Sequence, residues 1–168
     1  LNSDVIDIFD GATANFVISN GQDKTDISAG LVGRSSIGDY VWIDTNENGL
    51  QDTDEEGLNG IVVKLYDQSG GFIDSTVTIL NLLTGQSGFY SFKNLVYGLY
   101  SVRFSVLDNF SYSVINVTDS LINSDVVSSI DGSTAIFSVR PNGNRLDIDA
   151  GYVINAPLAG VIRGRVWQ

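Results

Sequence analysis

The sequence predicts an all-β protein built as a sandwich, and three observations carry that expectation. The 168 residues are 43% hydrophobic and rich in Val, Ile, Thr, Tyr and Phe, which suit a pleated, half-buried surface. Apolar and polar residues alternate in short runs, and clusters of Gly, Asn, Asp and Ser punctuate them with turn chemistry. No window holds a sustained helical apolar period with caps at its ends, so helix is expected to be minor.

The expected strands follow in order. "SIGDYVWI" (36–43) comes first, alternating Tyr40 and Trp42 with Val41 and Ile43. That aromatic pair either stacks on a sugar ring or packs one face in the core and the other at a domain edge. "GIVVKLYD" (60–67) and "FIDSTVTI" (72–79) flank the turn "DQSGG". "GFYSFK" (88–93) follows "TGQSG", and "LYSVRFSV" (99–106) follows "VYG". Within this aromatic stretch Phe89, Ser91 and Lys93 point one way and Tyr90 and Phe92 the other. "LDN" precedes "SYSVI" (111–115), and "RPNGN" separates "TAIFSV" (134–139) from "LDIDAGY" (146–152). The span 116–133 is long and polar, and such a connection is usually held by something other than a core.

Internal repetition sets the organisation. Residues 1–32 align without a gap with residues 122–153 at a constant offset of 121, sharing Asn-Ser-Asp-Val, Asp-Gly, Thr-Ala, Phe, Asp-Ile and Ala-Gly. "IGDYVW" (37–42) is echoed by "IRGRVW" (162–167). The expected layout is the C-terminal part of one repeat (1–32), a complete repeat (36–153), a linker (154–160) and the first strand of a third repeat (161–168). The first part supplies two expected strands, "TANFVI" (13–18) and "TDISAGL" (25–31), and a lone pair of strands is marginal in water. It is therefore expected to dock into a sandwich completed by other polypeptide, as are Ile162, Val166 and Trp167 at the far end. With no Met and Leu1 at its head, the chain reads as an interior or processed piece of a longer protein.

Charge and missing residue types exclude several functions. A net charge of -11 repels phosphate backbones and anionic membranes, so no nucleic-acid partner is expected. No apolar run reaches the roughly 20 residues of a membrane span. Cys 0 removes disulfides, thiolate zinc sites and cysteine nucleophiles, and His 0 removes imidazole bases and serine–histidine triads. A carboxylate pair could still catalyse, but it needs one acid with a raised pKa. The acids here fall in stretches that read as solvated or metal-bound, where pKa values drop, so no enzyme is expected.

The densest signal is "DTNENGLQDTDE" (44–55), which matches D-x-[DN]-x-[DN]-G-x5-E at every defined position. Asp44, Asn46 and Asn48 stand at positions 1, 3 and 5, and Gly49 at the sharp turn. Leu50 offers its carbonyl, Asp52 a carboxylate or bridging water, and Glu55 closes the set. Ca²⁺ takes six to eight oxygens, and alternate residues of a tight loop turn inward together. Six acids in residues 44–56 repel one another, and a divalent cation would convert that repulsion into a clip. The flanks are strands, so the loop is EF-hand-like without being an EF-hand pair. A second set, Asp119, Asp125 and Asp131 with Asn116 and Asn123, either holds another cation or caps backbone groups in Asx turns.

These stretches together resemble the SdrD B-like domain of bacterial surface proteins, a relative of collagen-adhesin B-type modules. "IGDYVWIDTNENGLQDTDEEGLNGIVVKLYD", "GFYSFKNLVYGLYSV" and "SDVVSSIDGSTAIFSVRPNGNRLDIDAGYV" carry the resemblance. It implies a prealbumin-like, Ig-like Greek-key β-sandwich, stabilised by calcium and repeated in tandem as a stalk or filament on the cell exterior. Asp44, Asn46, Asn48, Asp52 and Glu55 match the family's ligand pattern, whereas "TGQSGFY" departs from the usual T-D-x-x-G-x-Y turn. The implied partners are neighbouring repeats or copies end to end. The alternative is an adhesin module with its own host or glycan ligand. Related modules carry a Lys–Asn isopeptide bond, but here the first strand has no Lys and the last no Asn, so none is expected.

Overall fold

The computed structural model describes residues 13–29, 33–113, 115 and 121–155, in two compact units, Leu1–Gly33 and Arg34–Gln168. The expected strand 161–168, with Ile162, Val166 and Trp167, lies outside the described residues, as does Asp119.

Among the described residues of the first unit, neither expected strand forms. Apart from Thr13, which sits in an isolated β-bridge, residues 14–29 carry only a turn, closed by the Gln22 amide donating to Ser19 O at 3.0 Å. A strand needs a neighbour for its N–H and C=O groups, and the described part of this unit presents no ladder.

The second unit is a sandwich of nine strands and no helix among the described residues. They are β1 (Ser35–Ile43), β2 (Val62–Asp67), β3 (Phe72–Val77), β4 (Phe89–Leu95), β5 (Gly98–Phe104), β6 (Phe110–Tyr112), β7 (Phe137–Val139), β8 (Asn144–Arg145) and β9 (Ala150–Ile154). One sheet runs β4-β1-β9-β6 with β8 also on β1, and the other runs β3-β2-β5-β7. Alternation decides which side chains meet between them. Val63 and Leu65 of β2, Tyr90 and Phe92 of β4, and Tyr100, Val102 and Phe104 of β5 point inward, joined by Ile37, Val41, Ile148 and Tyr152. Their partners in the period, Val62, Lys64, Lys93 and Arg103, are exposed.

β1 organises the first sheet. One edge pairs antiparallel with β4. The other is shared by two short parallel partners, β8 against Ser36 and Ile37, then β9 against Val41, Trp42 and Ile43. Between them residues 146–149 arch away from the ladder, which is why the expected strand 146–152 begins at Ala150 instead. The arch drops Ile148 into the core, and its ladder bond is replaced by the Asp149 carboxylate, whose Oδ1 accepts from the Tyr40 amide at 3.0 Å.

Candidate metal centre

The acidic loop leaves the end of β1 at Asp44, whose amide donates to Tyr152 O at 2.8 Å and so fixes the loop's root on β9. Asp44 is 1% exposed, and its carboxylate accepts from the amides of Asn48 at 3.2 Å and Gly49 at 2.8 Å. Those bonds require the chain to curl back on itself. Glu47 at φ 60° and Gly49 at φ 76° supply the left-handed turns that do it. The amide groups of Asn46 and Asn48 both reach Asp52 Oδ2, at 2.8 and 3.0 Å. Glu55 closes the ring from the far side, accepting from the Thr45 amide at 2.8 Å and the Asp52 amide at 3.1 Å.

The loop also has an outer wall. Leu50 forms a β-bridge with Asn123, the Gln51 amide donates to Ile122 O at 2.7 Å, and the Ser124 amide donates to Gly49 O at 3.0 Å. This answers how the long polar connection is held: its residues 122–124 are pinned to the acidic loop.

The donor set fits a hard cation in type and order, with three carboxylates, two amide oxygens and the Leu50 carbonyl on one curled loop. As they stand, the carboxylates serve the loop's own N–H groups, and among the described residues no three acids form a metal-holding cluster. The members of the second expected set serve separate networks. Asp131 accepts from the Ser133 amide and hydroxyl and faces Arg103 at 3.5 Å; hydrogen bonds from Ser128 and Ser133 hold its pKa below the usual value. Asp125 instead accepts from the Asp149 amide at 2.8 Å.

Asp125 belongs to a group of acids that the sequence did not single out. Asp147 of the arch acts on Asp125 and on Asp39 of β1, and all three act on Asp149. Burial pushes Asp39 and Asp125 up to about 6, with like charge from Asp147 adding to it. Burial also raises Asp149, helped by the charges of Asp39, Asp125 and Asp147, and its Oδ2 has no hydrogen-bond partner. Arg145 bonds Asp147 at 2.7 and 2.9 Å, and its charge also offsets part of the rise at Asp125. The expectation that the acids here have lowered pKa values is thus corrected for the arch. The available signal was the period-two Asp147 and Asp149 in "LDIDAGY", which placed carboxylates on a strand rather than a loop.

The aromatic pair provides no sugar platform. Trp42 is fully buried. Tyr40 lies against Phe89 with centroids 5.6 Å apart, and its hydroxyl is within hydrogen-bond distance of Thr84 and Asn81. No described helix is long and apolar enough to cross a membrane.

Comparison with known proteins places this architecture. The chain is 37% identical over 123 residues to serine-aspartate repeat-containing protein F of Staphylococcus epidermidis, covering 71% of this chain and 7% of that protein. It is 36% identical over 118 residues to protein C of the same name series from Staphylococcus aureus, covering 70% and 12%. With protein D of Staphylococcus aureus it shares 33% over 140 residues, covering 83% and 10%. The chain therefore spans only about a tenth of the length of these relatives. The model of the SdrD B-like domain matches residues 35–152, the nine-strand sandwich almost end to end, and the chain belongs to that family.

Proposed function

We propose that the chain is a calcium-stabilised structural module of an extracellular bacterial surface protein, standing in series with neighbouring modules of its kind. The observation that carries this reading is the acidic loop, which binds three separated pieces of the sandwich: the end of β1, the start of the 122–124 connection and, through Asp44, β9. Asp44, Asn46, Asn48, Leu50, Asp52 and Glu55 would hold the ion. Bound calcium supplies positive charge and oxygen cross-links at the point where these pieces meet. An extracellular setting supports the chemistry, since modules of this type bind at roughly 10⁻⁴–10⁻³ M, within reach only of a calcium-rich exterior.

At a hundredfold excess of calcium over its dissociation constant, one site contributes about 2.7 kcal/mol. Chelation should lower the melting temperature of the chain by roughly 6–12 °C. Glu55→Ala should abolish most of that response. Terbium offers a direct probe, because Trp42 is buried two residues before Asp44 and should sensitise an ion in the loop. A melting curve indifferent to chelator, with no terbium emission, overturns the calcium reading.

A further inference from the structure

The outer face of the second sheet carries two cations set against each other. Lys64 of β2 and Arg103 of β5 stand directly opposite in the antiparallel register. Like charges so placed are destabilising, and they occur here in a chain whose net charge is -11. Asp131 relieves them in part. It approaches Arg103 Nε at 3.5 Å, while its carboxylate also serves the Ser133 amide and hydroxyl. Among the described residues Lys64 has no ion pair. The Arg103 guanidinium is held there by Asp131 and by the Tyr66 ring, whose centroid lies 4.7 Å from its central carbon. Asp131 takes the Nε side and Tyr66 one face, which leaves the terminal N–H groups as a donor fork.

The pair lies in a cleft of 330 Å³ that is also lined by Val62, Val106 and Ile130. These three are 37%, 59% and 88% exposed, so aliphatic surface stands beside the unrelieved charge. The volume is at the low end for a ligand site and suits a side chain or two. Three features choose the ligand. Two adjacent cations call for an anion. The aliphatic walls call for an apolar group next to it. β2 lies between β3 and β5, so its N–H and C=O groups are spent in the sheet, and recognition falls to side chains instead of strand addition. A sugar acid matches poorly, because Arg103 already covers the Tyr66 ring and the Ser105 hydroxyl is engaged by the Val62 amide at 3.2 Å.

We propose that this cleft binds an extended acidic peptide, with a carboxylate received by Lys64 and Arg103 and an aliphatic side chain seated among Val62, Val106 and Ile130. Val62 lies two residues from Lys64 on the same face of β2, which matches the spacing of side chains on one side of an extended peptide. The site shares no residue with the acidic loop and does not rest on calcium.

The test titrates the peptide acetyl-Ser-Glu-Ser-Ile-Ser-amide into the full chain, labelled with nitrogen-15, in calcium-containing buffer. Amide shifts should concentrate on residues 62–66 and 101–106 and saturate with a dissociation constant on the order of 1 mM. The same peptide with Gln for Glu should bind about tenfold more weakly. Lys64→Glu should abolish the shifts and raise the urea midpoint of the free chain, because it turns a repelling pair into an ion pair. Absence of saturable shifts up to about 10 mM peptide overturns the proposal. So do equal binding of the Glu and Gln peptides, shifts that survive Lys64→Glu, and a midpoint that falls in that variant. Shifts at these residues that grow with protein concentration, without peptide, would name a second copy as the occupant and also overturn it.

Discussion

Replacing Asp149 by Asn should make this protein more stable at neutral pH. Asp149 is 1% exposed; its Oδ1 accepts from the Tyr40 amide at 3.0 Å and its Oδ2 is unpartnered. Asp39 reaches it from β1, Asp125 from the connection, Asp147 from the arch, and Arg145 is occupied by Asp147. Asn keeps the acceptor for Tyr40, removes the charge and turns an N–H donor towards carboxylates. An unsatisfied buried polar group costs about 1–3 kcal/mol, so a gain of that size is expected at pH 7.5, roughly 3–10 °C in melting temperature. The sign of the pH dependence follows from the same group. Asp39 and Asp125 titrate near about 6 in the folded protein and near 3.8 otherwise, so between those values the folded state holds protons that the unfolded chain has lost. Stability should therefore be fully present below 3.8 from these groups and fall as the pH rises through about 6. Urea unfolding from pH 4.5 to 8 in metal-free buffer reads both effects. A variant less stable than the parent at pH 7.5, or a parent whose stability climbs from pH 5 to 8, would refute the reasoning.

Two further outcomes follow from packing and covalent chemistry. Gly151→Ala should cost about 1–3 kcal/mol, because the added carbon would meet Ser113 Oγ at 2.5 Å and Trp42 Cζ2 at 2.9 Å in a filled site; an unchanged urea midpoint would contradict that crowding. The intact mass should equal that of the sequence, since β1 has no Lys and β9 no Asn, while Lys64 and Lys93 face solvent; a mass lighter by one ammonia would reveal an isopeptide bond.

The sandwich was legible because its long strands bury one face, and burial writes itself as alternation. β1 to β5 appear within a few residues of their expected limits. The short strands were less legible for a physical reason. β8 is two residues long and pairs with β1 through Asn144 and Arg145, whose polar side chains read as turn. Residues 13–18 have a strand's sequence yet form none, because a strand exists only with its neighbour. The curl of the acidic loop was legible as spacing, down to the left-handed Gly49. The bond from its outer wall to residues 122–124 was not, since a pairing across seventy residues leaves no local mark. Asp39 and Asp149 were hidden similarly, each harmless in its own stretch and costly only where the arch brings them together.

The parallel pairing of the first strand with the last two has a mechanical consequence. Ser35 leaves one end of the sheet and Ile154 the other, so tension applied along the polypeptide slides β1 and β9 past each other lengthwise. The pairs Ser36–Asn144, Ile37–Arg145, Val41–Ala150, Trp42–Gly151 and Ile43–Tyr152 then share the load at once instead of parting in succession. The bond from the Asp44 amide to Tyr152 O places the root of the acidic loop on the same line of force. Single-molecule extension from the two ends should accordingly meet one abrupt yield, at a higher force than peeling β3 from its sheet edge, and anything that tightens the loop should raise it.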